Sequence, residues 1–317
     1  MSSFNDITLL ARDKKPFLFI ISYDKSKIFL KEINTLDNIY YKLADSSNID
    51  KTKSINSYKF SKYPISFGEY QNSINRVKEE IKKGNSYLLN LTFKTPIETN
   101  LSLKDIFLAS DSKFKLYFQD KFICFSPERF IEIRENKIST YPMKGTIDAN
   151  IPNAKEKILN STKEMAEHTM MVDLMRNDLG IIGDDIKVEK FRYIDKVLAG
   201  DKELLQVSSK ISARLDDNWQ DNLGDILDKI LPAGSITGTP KKKTIELIED
   251  IEDYNRDFYS GVFGIFDGEN LDSSVMIRFI EREESRLYYK SGGGITIDSV
   301  DRDEYFEMID KIYLPFL

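Results

Sequence analysis

Two Glu-x-x-Glu pairs, Glu164/Glu167 and Glu304/Glu307, stand 140 positions apart in a chain of 317 residues. Glutamates three apart on a helix share one face, so each pair can aim two carboxylates at one ion or water cluster. Like charges that close repel unless a cation lies among them. Four carboxylates without a histidine form an oxygen-only donor set, which suits Mg²⁺ rather than zinc. Lys311 falls one turn beyond Glu307 on the same face. The spacing also occurs on plain solvated helix faces, and Glu246, Glu249 and Glu252 supply such a case here. Lys144, in Tyr-Pro-Met-Lys-Gly-Thr (141–146), is the second group that could do chemistry. It reads either as a surface turn lysine or as an amine whose pKa is lowered by burial or a neighbouring cation, able to attack carbon.

Three glycine-bearing stretches could turn backbone N–H groups towards an anion: 233–238, 260–264 and 292–294. Each is equally readable as ordinary turn glycine. None is a Walker loop or a Gly-x-Gly-x-x-Gly fingerprint. Arg278 follows the apolar run Val275-Met276-Ile277. Facing inward it would need a carboxylate partner, from the protein or from a substrate; facing outward it is a plain strand residue.

Composition limits the rest. Hydrophobic residues make up 41% and charged residues 31%, a globular balance, and the net charge of −6 argues against a general nucleic-acid binder. The apolar stretch Phe17–Ile21 is far shorter than the roughly 20 residues of a membrane span, and no signal cleavage pattern follows it. One cysteine, Cys124, excludes an intramolecular disulfide and fits a reducing cytoplasm. One histidine, His168, leaves no Cys/His zinc site, so acid–base work rests on Glu, Asp, Lys and Tyr.

The elements that must hold these groups read as follows. Residues 16–33 form two strands around the turn Tyr23-Asp24-Lys25-Ser26, and the polar segment 37–61 is loop. A helix runs from Ser66, with Tyr70, Ile74, Val77 and Ile81 on one face and Gly84 as its stop. Strands follow at 87–93, 115–125, 129–134 and 137–141, then a helix at 163–176 and strands at 187–192 and 205–215. Thr239 and Pro240 open a helix as N-cap and first residue, running to 252. Strands at 258–267, 273–281 and 285–291 precede a helix at 301–314. Strands outnumber helices, which predicts an α+β fold of antiparallel sheets with helices outside. Residues 1–65 supply N-terminal strands and loop to that composite fold, and 66–317 the catalytic part.

Taken in order, these stretches resemble the chorismate-utilising enzymes, the family of anthranilate, aminodeoxychorismate, isochorismate and salicylate synthases. The resemblance rests on Gly84-Asn85-Ser86-Tyr87, Ser126-Pro127-Glu128-Arg129-Phe130, Met143-Lys144-Gly145-Thr146, Glu164-Met165-Ala166-Glu167-His168 and 172–180. It continues through Gly234-Ser235-Ile236-Thr237-Gly238-Thr239-Pro240-Lys241, 259–264, Ile277-Arg278, Gly293-Gly294-Ile295 and Glu304-Tyr305-Phe306-Glu307 with Lys311. It covers about residues 66–317. The family fold it implies is a sandwich of large antiparallel sheets with helices on the outside.

A lysine before Gly-Thr is similar to the aminodeoxychorismate synthase branch, component I. The resemblance implies Lys144 as nucleophile and Glu128 as general acid for a departing hydroxyl. It implies Mg²⁺ at Glu164, Glu167, Glu304 and Glu307, with Thr237, Tyr259, Arg278, Gly293, Gly294 and Lys311 around chorismate. Leu88 stands where isochorismate and salicylate synthases have a lysine base, and Gln206 where anthranilate synthases have a histidine. No Leu-Leu-Glu-Ser-type segment for feedback tryptophan is present. With no glutaminase motif, ammonia is expected from solution or from a glutamine amidotransferase subunit in a heterodimer. The product would serve p-aminobenzoate and folate synthesis, and anthranilate synthase component I is the alternative.

Overall fold

The computed structural model describes residues 2–44, 46–199 and 202–316. In chain order the elements are α1 (Phe4–Arg12), β1 (Phe17–Ile21), β2 (Ile28–Glu32), β3 (Ile39–Leu43), β4 (Ser46–Ser47), β5 (Phe60–Lys62) and α2 (Phe67–Lys82). Then follow β6 (Leu88–Thr99), α3 (Leu103–Ala109), β7 (Phe114–Phe118), β8 (Phe122–Ser126), β9 (Arg129–Arg134), β10 (Lys137–Thr140) and β11 (Met143–Asp148). Next are α4 (Ala154–Asn160), α5 (Thr162–Gly180), β12 (Asp184–Ala199), β13 (Lys202–Arg214) and α6 (Leu223–Ile230). Last come β14 (Gly238–Thr239), α7 (Lys241–Ile251), β15 (Val262–Phe266), β16 (Leu271–Val275), β17 (Phe279–Glu283), β18 (Arg286–Ile295) and α8 (Asp301–Asp310).

The strands form two nine-stranded antiparallel sheets. One runs β11-β13-β10-β9-β16-β15-β1-β2, with β12 added on β13; the other runs β14-β6-β18-β17-β8-β7-β3-β4, with β5 added on β6. Leu18 and Ile20 of β1, with Phe263 and Ile265 of β15, pack between the sheets against Tyr41, Leu116, Cys124 and Phe279. The alternate β1 residues Phe17, Phe19 and Ile21 join a second core with Ile7 of α1 and Leu227 of α6. Burial on both faces explains why β1 reads as an unbroken apolar run. The predicted α+β sandwich with outer helices is the fold observed. No helix among the described residues is long and apolar enough to cross a membrane.

Local signals set the helices that carry the site. The Ser66 hydroxyl accepts from Glu69 N at 3.3 Å while the Glu69 carboxylate takes the Ser66 N–H at 2.9 Å, the reciprocal cap that starts α2. Gly84, at φ 80°, ends it. The Ser161 hydroxyl likewise accepts from Glu164 N at 3.3 Å and fixes the first turn of α5, which carries Glu164, with Glu167 one turn further on.

Several expectations fail for identifiable reasons. The segment read as loop holds β3, β4 and β5; β3 alternates buried Ile39, Tyr41 and Leu43 with half-buried Tyr40 and Lys42. The single strand expected at 115–125 is a hairpin, because Gln119 and Asp120 adopt φ 48° and 56° and reverse the chain. Thr239 does not cap α7: it pairs with Leu88 in β14, so the backbone stays extended through Pro240 and the helix begins at Lys241. The strand expected at 273–281 is β16 in one sheet and β17 in the other, with Arg278 at the crossing. Helices α1, α3, α4 and α6 fall on segments read without an element.

Candidate active site

The chemistry-bearing residues come from both sheets and meet between β11 with α5 on one side and β18 with α8 on the other. Lys144 projects from β11 at a register shift between Met143 and Thr146. Gly145 makes that shift possible at φ 83°, and a Cβ there would come within 2.8 Å of Glu164 Oε2. The strand therefore approaches the first turn of α5 closely, and Lys144 Nζ lies 3.2 Å from Glu167 Oε2. On the far side, a Cβ on Gly294 would sit 3.1 Å from the same Nζ.

The second carboxylate pair faces the neighbouring glycine. A Cβ on Gly293 would meet Glu304 Oε2 at 3.6 Å, Glu307 Oε1 at 3.8 Å and Lys311 Nζ at 3.4 Å. Glu304 is buried and its Oε1 accepts from Ser299 Oγ at 2.8 Å. Lys311 Nζ binds Glu307 at 2.6 Å and donates to Gly292 O at 2.8 Å. Burial draws the Lys311 pKa below the usual lysine range, against the pull of Glu307. Gly292, Gly293 and Gly294 lie in a strand rather than a turn: they are part of β18, in register with Thr92, Leu91 and Asn90 of β6.

Among the described residues, no three His, Cys, Asp or Glu side chains are gathered as a ready ligand set for one ion. Each pair instead gives one carboxylate to an ammonium, Glu167 to Lys144 and Glu307 to Lys311. The donor chemistry still fits a hard cation. It is all oxygen, it lies in a place where like charges need a counter-charge, and Glu304 and Glu307 converge over a residue with no side chain.

Arg278 occupies the crossing between the sheets at φ 53°, its Nη1 donating to Lys311 O at 3.2 Å and its guanidinium 5.5 Å from the Tyr313 ring centre. It lines a cleft of about 620 Å³ together with Pro127, Met143, Thr146, Gln206 and Tyr313. Glu128, next to Pro127, is buried, and burial pushes its carboxyl up to about 7 although Ser235 and Lys144 pull the other way. Its main chain is pinned: Glu128 N donates to Ser126 Oγ at 3.1 Å, and Glu128 O accepts from Ser274 Oγ at 2.7 Å.

Two expected contact residues lie deeper. Thr237 is fully buried and its hydroxyl donates to Ala233 O at 3.1 Å and Gly234 O at 3.2 Å. Tyr259 is buried in the core between the sheets against Phe279, which raises its hydroxyl to about 12.

Sequence reasoning missed a supporting layer under α5. His168, fully buried, meets Ser209 Oγ at 2.6 Å, and burial with the nearby Arg192 and Lys144 charges lowers its pKa to about 4. Arg192 donates to Leu159 O at 2.7 Å and Ile158 O at 2.9 Å, closing the corner between α4 and α5. Nothing in the pattern around Arg192 marks it. His168 carried the signal of being next to Glu167 on a helix.

A family model described as chorismate binding enzyme matches residues 9–315. An uncharacterized PabA-like protein of Haemophilus influenzae is 46% identical over 306 residues, covering 96% of this chain and 93% of its own. The aminodeoxychorismate synthase component 1 of Salmonella typhimurium is 33% identical over 260 residues, covering 77% of this chain and 56% of that protein. This chain thus spans little more than half the length of that relative. Among solved structures, the menaquinone-specific isochorismate synthase of Escherichia coli is similar with a TM-score of 0.76 at 15% identity, over 98% of this chain and 81% of that one. The anthranilate synthase component I of Streptococcus pneumoniae gives a TM-score of 0.69 at 24% identity, over 83% and 60% respectively. At those identities the structural likeness speaks for the fold alone.

Proposed function

The chain belongs to the chorismate-binding enzymes, and we propose that this chorismate-utilising enzyme aminates chorismate at C4, as an aminodeoxychorismate synthase component I. The observation that carries the reading is a lysine, Lys144, whose amine lies between Glu167 and the glycine floor of β18. A nucleophile there solves a specific difficulty, because hydroxide leaves poorly from the ring of chorismate.

In the proposed reaction Lys144 first loses one proton to solvent, its neutral amine bonds to C2, the ring double bonds shift and the C4–O bond breaks. Glu128 gives its proton to the departing hydroxyl, which leaves as water; a placed acid of this kind contributes about 10²–10⁴ in rate. Ammonia then bonds to C4, the double bonds shift back and the C2–N bond to Lys144 breaks. The proton shed by the new amino group restores Glu128. Arg278, Lys311 and the Gly293-Gly294 backbone hold the substrate's anionic ends. Thr237 and Tyr259 support that wall from behind, the hydroxyl of Thr237 being committed to carbonyls.

Glu164, Glu167, Glu304 and Glu307 are the residues that would hold Mg²⁺, which supplies positive charge for the ring carboxylate. Ammonia comes from solution or from a glutamine amidotransferase subunit bound as a heterodimer, and the product feeds p-aminobenzoate and folate synthesis. The test is chromatographic: purified protein with chorismate, Mg²⁺ and ammonium, with aminodeoxychorismate lyase added to half. p-Aminobenzoate that needs the lyase, and disappears in Lys144→Ala, is the expected result. Anthranilate as product would refute the assignment.

A further inference from the structure

Behind Glu128 lies a cavity of about 20 Å³ that the reaction above leaves unused. Its wall is mostly apolar, built from Phe130, Ile131 and Leu179 among others. Two buried polar atoms on that wall, Glu128 Oε1 and Ser235 Oγ, nevertheless make no hydrogen bond of good geometry, although Ser235 lies near enough to pull the Glu128 carboxyl down. Asp178 also lines the cavity, its carboxylate held by Lys241 at 2.7 Å. Roughly 10–15 Å³ of such space admits one water, and a buried water needs two to four polar partners. Glu128, Ser235 and Asp178 supply three, and the volume excludes any organic ligand.

We propose that Ser235, through one ordered water in this cavity, fixes the acidic proton of Glu128 on the oxygen that faces the substrate. A donor at Oε1 occupies that atom as an acceptor, so the hydrogen resides on Oε2. The constraint matters because a proton on the inner oxygen is useless to the leaving group. The carboxyl has little room to turn, since the side chain is buried and shares that wall with Phe130, Ile131 and Leu179. Ser235 is carried by the short turn Gly234–Ile236. Gly234 lets that turn approach α5, where a Cβ would lie 3.0 Å from Leu174 and 3.2 Å from Asp178 Oδ2. Ser235 is thus a positioning residue acting through Glu128. The titratable groups around the pair are Lys144 from β11, Asp178 from α5 and Lys241 from α7.

The inference rests on Glu128 being the acid of the proposed reaction, and the test separates the two. Loss of chorismate, whatever the product, is followed with Mg²⁺ and ammonium across the neutral pH range for the wild type, Ser235→Ala, Ser235→Thr and Glu128→Gln. Ser235→Ala is expected to lower the plateau kcat about tenfold, as one lost hydrogen bond would. KM should hold, and the alkaline limb of kcat should move to higher pH, because the hydroxyl that favours the carboxylate is gone. Ser235→Thr should restore both. If Ser235→Ala is poorly folded, Ser235→Cys, which keeps the volume and weakens the hydrogen bond, carries the same readout. An unchanged kcat, or a lower kcat with an unmoved limb, overturns the proposal. Full activity in Glu128→Gln would instead remove the acid assignment itself.

Discussion

Replacing Arg256 by methionine should cost the fold about 3–5 kcal/mol, the usual penalty for breaking a buried ion pair from one side. Arg256 and Glu252 are each only 2% exposed at the side chain. The guanidinium donates to Glu252 Oε1 at 2.6 Å and Oε2 at 2.8 Å, to Ile236 O at 2.8 Å and to Asn90 O at 2.6 Å. Methionine keeps much of the stem but leaves a buried carboxylate with only the Thr92 N–H and hydroxyl, at 2.8 and 2.7 Å, and two carbonyls without that donor. At about 2.1 cal/mol/K per residue, 317 residues give an unfolding entropy near 0.7 kcal/mol/K. Tm should therefore fall by roughly 4–8 °C in scanning calorimetry. The double variant Glu252→Gln/Arg256→Met should recover part of that loss, since no charge is then stranded. Ile236 and Asn90 flank the Thr237 turn, so kcat/KM should fall in Arg256→Met well below its melting temperature. A single variant that loses under about 1 kcal/mol, or a double variant that loses the sum of its singles, would refute the reasoning.

Glu128 should pull stability and function in opposite directions. Its carboxyl titrates near 7 in the fold against 4.5 ordinarily, so the native state holds the extra proton and stability falls as pH rises from 4.5 to about 7. Glu128→Gln should then be more stable than the wild type above pH 7 and lose that advantage below 4.5, as urea titrations at several pH values would show. For the metal, added Mg²⁺ should raise the Tm of the wild type by mass action, and EDTA should reverse it. Glu167→Gln/Glu307→Gln should show no such rise, and an equal rise in the double variant would exclude these carboxylates as ligands.

Much of the fold was legible wherever the signal is local. Ser66, Glu69, Tyr70, Ile74 and Val77 lie within about three turns of one helix, so cap and apolar face can be read together. Glu164 and Glu167 are similarly local, and their shared face survives in α5. The misreadings arise where a distant partner decides. Val275 to Ile277 is apolar enough to continue a strand, yet the chain leaves one sheet for the other there, and Arg278 takes the left-handed conformation that lets it. The glycines at 292–294 look like a loop until β6, some 200 residues earlier, pairs with them. The same holds within the site. No spacing announces that Lys144 meets Glu167, that Thr237 spends its hydroxyl on its own turn, or that Ser235 faces Glu128.

The threading of β1 between β2 and β15 has a consequence for how the molecule comes into being. Phe17 pairs with Phe266 and Ile21 with Val262, so the apolar strand made among the first waits for one made among the last. The floor of the site waits longer still, since Gly294 must reach back to Asn90. Loop closure over such distances is slow, and nascent β1 remains a sticky edge for most of synthesis. The residues of the site, from Glu128 to Lys311, therefore come together only when the last strand and helix of the chain have been made.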